Sequence, residues 1–344
     1  MIDLFETRTM LSILDQRVPP RTFLRDTFFS NVVTSIAKHV DIDVIKHKRR
    51  LAPFVSPKME GKVVGREGFK TYTYTPPYIK QKMTTDAADF FKRMPGETIY
   101  GPGDGPAQRA AAQLGRDLLT LEEMIVRREE WMAAQVLDTG AVTVTGDGIA
   151  DTIDYLMSAT HKITLTSTAL WTDTTGVANP LNDLRVWKRL ISKDSGLSPD
   201  IVIMGQDVLE PFLQNTYVKA RLVNNFRGDF GTLAPKKLDQ GVTWIATFPE
   251  LGIEIYTYDE WYLDPTDGTT LTPMVPLNKI WMGARSARCT MHYGAIQDLE
   301  AMSPVARFPK SWQTTDPSAR WVMLQSAPLP AMHQPDGFLT AQVI

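Results

Sequence analysis

Among 344 residues there is one cysteine, Cys289. That excludes an intrachain disulfide and any multi-cysteine zinc site. No stretch approaches the roughly 18 apolar residues of a membrane helix. The start, Met1-Ile-Asp-Leu-Phe-Glu6, has early acidic residues and no apolar core, so no secretory signal is expected. A soluble protein made in a cytoplasm is the expectation. Charge of one sign is missing too: 37 basic residues face 39 acidic ones, a net of −2. A dedicated nucleic-acid binder would carry a marked basic excess.

Catalytic signatures are equally scarce. The five histidines, His39, His47, His161, His292 and His333, show no HExxH or other paired metal spacing, and there is no GxSxG elbow. No metal or cofactor is therefore expected. Gly101-Pro-Gly-Asp-Gly-Pro106 is a breaker cluster, not a phosphate loop, because no Lys-Ser/Thr follows it. Asp264-Pro-Thr-Asp267-Gly268 lacks the further ligands of a calcium loop and reads as a turn. Glu122 and Glu123 are adjacent, so on a helix they point about 100° apart and cannot share a substrate. Cys289 and His292 could form a nucleophile pair, the basis of a minor hydrolase reading. A small buried thiol near an ordinary histidine is the plainer one.

What is present is globular: 43% hydrophobic, 22% charged and 9% aromatic residues, in a length that suits two ordinary domains. Residues 1–97 hold 17 Lys/Arg and 11 Asp/Glu, a net of +6, and the remainder has a net of −8. This asymmetry is either chance on a solvated surface or a device for contact between unlike parts of neighbouring copies. The first 45 residues read as an arm: a short helix Leu4–Leu14, ended by Pro19-Pro20, then the apolar cluster Phe23-Leu24-Arg25-Asp26-Thr27-Phe28-Phe29. With no long partner segment nearby, that cluster must bury itself against something distant in sequence or in another chain.

Residues 46–95 open with Lys46-His47-Lys48-Arg49-Arg50 and continue with strand-like runs at Leu51–Val55, Val63–Val64 and Thr71–Thr75, closed by Pro76-Pro77. A long hairpin with too few large aliphatics for a core must lie on another surface. Its basic run suits a solvated face or an acidic protein neighbour better than a phosphate. A helix from Ala107 to about Leu137 follows, with Leu114, Leu118, Leu121, Ile125, Met132 and Val136 forming one apolar stripe. Glu122-Glu123, Arg127-Arg128 and Glu129-Glu130 suggest a solvated opposite face. Two strands around a tight turn are expected at Ala141–Thr145 and Ile149–Tyr155, and a surface loop at Thr164–Asn179. A mixed unit follows: helix Leu181–Lys193, strand Asp200–Met204, helix Asp207–Leu222, strands Val242–Thr247 and Ile253–Tyr258. Two further strands, Trp321–Gln325 and Gly337–Val343, should return to the long helix.

Several stretches then match a known family. Ala306-Arg307-Phe308-Pro309-Lys310-Ser311-Trp312, Asp316-Pro317 and Gln325-Ser326-Ala327-Pro328-Leu329 resemble the closing signature of the lambda-type tailed-phage major capsid proteins, the capsid protein E family. Phe23-Leu24-Arg25 with Phe28-Phe29 resembles that family's arm. Val55-Ser56-Pro57, Gly61, Val64, Thr75-Pro76, Tyr78, Lys80 and Lys82 resemble its extended loop, and Gly294-Ala295-Ile296-Gln297-Asp298 a segment of its A-domain. Residues 160–275 show little motif-level match.

The resemblance implies an α+β Hong Kong 97-type capsid fold, with an N-terminal arm (1–45), an E-loop (46–95) and a P-domain (96–184) containing a spine helix (107–137). An A-domain (185–290) and a return to the P-domain (291–344) complete it. It implies no enzyme, but a virion protein assembled in a host cytoplasm. Copies would form hexamers and pentamers of an icosahedral shell around double-stranded DNA, first as a procapsid that later expands. A separate scaffolding protein, a portal and a decoration protein are the implied partners, with no membrane and no sequence-specific DNA contact. Expected inter-subunit contacts are Phe23, Leu24, Arg25, Phe28, Phe29, Lys48, Arg49, Arg50, Lys58, Lys62, Arg66, Lys70, Tyr72 and Tyr74. Covalent cross-links, for which Lys58, Lys62, Lys80 or Lys82 would be candidates, are not expected. The alternative within the same fold is a cellular compartment shell that encloses cargo enzymes.

Overall fold

The structure is a computed structural model describing residues 10, 22–45, 51–61, 63–64, 69–86, 106–146, 148–173, 175–223, 232–239, 241–265, 268–301, 304–316 and 318–344. The expected helix Leu4–Leu14 lies outside these residues except for Met10, which is helical and fully buried. Residues 46–50, Gly101–Gly105 and Asp267 also lie outside them.

A helix over Pro106–Thr139 organises the molecule. Its 34 residues make a rod of about 51 Å, ended by Gly140, whose φ of +70° no side chain adopts easily. The expected stripe is buried, but against two different partners. Leu114, Leu118, Leu121 and Ile125 pack on Val322 and Leu324, while Met132, Ala133, Val136 and Leu137 belong to the main core. In chain order, this rod is α2, and the short helix Phe23–Phe28 before it is α1.

Strands β1 (Val32–Thr34), β2 (Val40–Ile45), β3 (Phe69–Tyr74) and β4 (Ile79–Asp86) precede the rod. The hairpin β5 (Ala141–Gly146) and β6 (Ile149–Asp154) follows it, as expected. Then come β7 (Lys162–Thr164), α3 (Pro180–Ser195), β8 (Ile201–Met204), α4 (Gln206–Gln214), α5 (Thr216–Val223) and β9 (Thr232–Asp239). Next are β10 (Val242–Phe248), β11 (Ile253–Tyr258), β12 (Trp261–Leu263), β13 (Leu271–Pro273), β14 (Lys279–Gly283) and β15 (Cys289–Tyr293). Last are β16 (Phe308–Thr314), β17 (Ala319–Ser326), β18 (Pro328–Met332) and β19 (Phe338–Gln342).

Seven strands form the main sheet in the order β7-β19-β14-β8-β11-β10-β9. β8 is buried throughout, as a central strand should be. Two smaller sheets, β16-β17-β4 and β1-β15-β18, link distant segments, and β4 joins β17 across register pairs from Ile79↔Ser326 to Asp86↔Ala319. Together these make the α+β architecture that the resemblance implied.

Several expectations are corrected. The hairpin's strands are β2 and β3, so it begins at Val40 rather than after residue 46, and neither Leu51–Val55 nor Val63–Val64 is a strand. The single helix Asp207–Leu222 is two, because Asn215 adopts an extended backbone. Its side chain accepts from the Tyr217 amide and donates to the Ala178 carbonyl. The surface loop after Thr164 is anchored by buried Trp171, stacked on Trp187 with ring centroids 6.0 Å apart and bonded to Asp183. β19 touches the rod but lies inside the main sheet, between β7 and β14.

Candidate functional site

The rod carries two carboxylates where its two cores meet. Glu129 and Glu130 are 0% and 2% exposed, so the expected solvated face is wrong at this point. An unpaired buried carboxylate is costly, and the partners explain why these are tolerated. Arg307 grips Glu129 with both terminal nitrogens, at 2.7 and 3.0 Å, and Arg25 adds a third contact at 2.9 Å. Burial would lower the pKa of both guanidiniums; the Glu129 charge outweighs it and raises them. Tyr293, under the Arg307 guanidinium, is pushed up to about 12, first by burial and then by Glu129.

Glu130 is served by neutral donors instead. The Leu24 and Arg25 amides reach it at 2.7 and 3.0 Å and the Tyr258 hydroxyl at 3.1 Å. Burial is the main cause of a carboxyl pKa pushed up to about 7.

These contacts decide the fate of the arm cluster. Leu24, Phe28 and Phe29 are buried within their own chain. Phe23 lies 5.3 Å from Tyr256, and Phe28 5.2 Å from Phe338. Within one chain Phe23, Leu24, Arg25, Phe28 and Phe29 therefore meet the rod and the main sheet, the surface distant in sequence that was one of the two expectations for this cluster. Tyr72 and Tyr74 also turn inward: their rings stack at 6.1 Å, and the Tyr74 hydroxyl donates to the Asp154 carbonyl.

The family-signature residues are an internal clamp. Arg307 also bonds the Ser326 hydroxyl, which donates to the Ala306 carbonyl. Phe308, Pro309 and Pro328 are buried. Lys310 holds Asp298 at 2.9 Å, and the Gln325 amide donates to the same carboxylate. Tyr78, from the loop signature, donates to Gln325. Trp312 stacks on Trp321 at 6.2 Å. Gly294 is needed because a Cβ there would stand 2.8 Å from Pro76. Two separated signature stretches thus touch.

The described residues between β2 and β3 carry a run of uncovered apolar side chains. Leu51 and Val63 are each 96% exposed, Phe54 is fully exposed, and Met59 and Val64 are largely so. Lys58 is exposed beside them. Lys48, Arg49, Arg50, Lys62 and Arg66 lie outside the described residues, as does the side chain of Lys70 on β3. A cleft of about 510 Å³ opens between β4, the rod and the β5–β6 hairpin, lined by Tyr78, Lys80, Arg128, Trp131, Val144 and Ile149.

The nucleophile pair does not form. Cys289 and His292 are three residues apart on one strand and so project from opposite faces. Burial raises the Cys289 thiol pKa and, with His333, lowers His292 to about 4. His161 is fully buried between the Phe338 carbonyl and Asp194. Among the described residues, no group of three His, Cys, Asp or Glu could hold a metal, and no helix is long and apolar enough to cross a membrane.

Comparison with known proteins places this arrangement. Residues 6–343 match the model of the family described as phage major capsid protein E. The P21 prophage-derived major head protein of Escherichia coli O6:H1 (strain CFT073) is 30% identical over 99% of both chains. The major capsid protein of Escherichia phage lambda is 25% identical, over 99% of this chain and all of that one. Among solved structures, a candidate capsid protein of a prophage in E. coli CFT073 superposes with a TM-score of 0.73 at 19% identity, covering both chains fully. The family and fold are structural rather than enzymatic. Since the family model matches nearly the whole length, the chain belongs to the phage major capsid protein E family, as a lambda-type major capsid protein of Hong Kong 97-type fold.

Proposed function

We propose that copies of this chain assemble as hexamers and pentamers into the icosahedral head shell of a tailed phage, enclosing double-stranded DNA and expanding from a procapsid. The observation carrying this reading is the exposed apolar run Leu51, Phe54, Met59, Val63 and Val64, on a body that has buried Leu24, Phe28 and Phe29. An apolar patch of this kind marks a partner surface. The basic front part and acidic remainder suit contact between unlike parts of identical copies.

In this reading residues 1–45 are the arm, 46–95 the E-loop, 96–184 and 291–344 the P-domain, and 185–290 the A-domain. The E-loop makes the inter-subunit contacts, with Lys58 and the basic residues 48–50, 62, 66 and 70 around its apolar run. Many weak repeated contacts permit correction during assembly and sum to a durable shell. A near-neutral wall does not adsorb DNA through phosphate contacts. A separate scaffolding protein guides assembly in the host cytoplasm, a portal occupies one vertex, and a decoration protein rather than covalent cross-links reinforces the virion.

The test is gel filtration and negative-stain microscopy of the chain co-expressed with its scaffold, beside a Leu51→Ser/Phe54→Ser variant. Megadalton shells from the unaltered chain, and a folded variant that stays as small species, are expected. Equal assembly by the variant overturns the reading. Nuclease-protected double-stranded DNA in mature particles, rather than enclosed enzymes, separates a virus head from a cellular compartment.

A further inference from the structure

Glu129 and Glu130 are adjacent, equally buried and differently compensated. Glu129 takes both nearby guanidiniums, those of Arg25 and Arg307. Glu130 takes two backbone amides from α1 and one phenol from β11, and no cation bonds it among the described residues. The charged and titratable groups around it do not repair this. From α1, Asp26 adds negative charge and Arg25 is turned to Glu129. From the rod Arg127, and from the main-sheet side Glu260, act on Tyr258. Tyr293 and Arg307 serve Glu129. An anion at this place is held by dipoles alone in a buried site, whereas the same carboxyl becomes hydrated once α1 lifts away.

We propose that Glu130 is a proton-linked latch for the arm: docking of α1 on the rod favours the neutral carboxyl, and ionisation of Glu130 favours release of α1. Both forms are compatible with the docked geometry. The anion accepts from all three donors. The neutral acid places its proton towards the Tyr258 oxygen while its other oxygen still accepts from the Arg25 amide. The sign follows from linkage. The docked carboxyl has its pKa raised to about 7 against an ordinary 4.5. Opening therefore becomes easier as pH rises through that window and no easier above it. This device does not depend on the shell reading, since it lies within one chain.

Hydrogen exchange on the full chain, corrected for the intrinsic pH dependence, reads the opening of the Leu24 and Arg25 amides. The opening constant is expected to rise close to tenfold per pH unit between about pH 5 and pH 7, then level off. Glu130→Gln should remove that slope. Tyr258→Phe removes a hydroxyl that serves both forms but leaves the buried carboxyl in place, so the slope should persist in it. A flat profile in the unaltered chain or in Tyr258→Phe, or the same slope in Glu130→Gln, overturns the proposal. If Glu130→Gln fails to fold, the other two measurements decide.

Discussion

Arg307 meets Glu129 across 178 residues of sequence with two near-parallel contacts, at 2.7 and 3.0 Å, and the carboxylate is fully buried. This pair ties the C-terminal signature to the rod. Arg25 ties the arm to the same point.

Removing the cation leaves a buried anion. Arg307→Met is expected to lower unfolding free energy by about 3–5 kcal/mol, read by denaturant titration. Arg307→Lys keeps the charge but loses the fork, so it should recover only part of that loss.

Gly140 and Gly148 separate two penalties. Both have positive φ, but a Cβ on Gly140 would lie 2.4 Å from Met157 Cβ, while Gly148 faces open space. Gly148→Ala should cost about 1 kcal/mol from backbone strain alone. Gly140→Ala should cost clearly more, since the Met157 side chain must also move. Thermal melts of the two variants check the order.

One buried and one half-buried group set opposing slopes of stability against pH. Glu130 has its pKa raised to about 7, so the folded state holds its proton more tightly and stability falls as pH rises from about 4.5 to 7. His292 is lowered to about 4, so the unfolded state takes up the proton first and stability rises with pH between about 4 and 6.5. The unaltered chain should be flat across their overlap. Glu130→Gln should tilt it upward with pH, and His292→Gln downward, in denaturant midpoints at pH 5 and 6.5.

Cys289 should be inert in the folded chain. Its burial and raised thiol pKa predict no labelling by a maleimide until denaturant is added. Rapid labelling of native protein would place the thiol at a reactive surface.

The parts of the fold legible in the sequence are those with strong local periodicity. The rod, the β5–β6 hairpin, α3, β8, β10 and β11 follow from stripe, alternation and turn residues. β16 and β18 contain Pro309, Pro328 and Pro330, which argue against strands, yet both are sheet edges where a missing amide is tolerated. Glu129 and Glu130 looked solvated because their partners come from residues 24, 25, 258 and 307, and no local pattern reports such distant partners. The arm cluster posed the same difficulty. Its need for burial was readable from Phe23 to Phe29, but not whose surface would provide it. For the exposed residues Leu51, Phe54, Met59, Val63 and Val64 that need remains open among the described residues.

β19 has a temporal consequence. Residues 338–342 are synthesised after every other strand of the main sheet, yet they sit inside it, bridging β7 and β14. Until that piece has emerged from the ribosome, β7 has no sheet to join and one flank of β14 stays bare. A nascent chain is therefore held incomplete until its synthesis has passed residue 342, and a product terminated ahead of Phe338 would be a defective building block rather than a slightly shorter one.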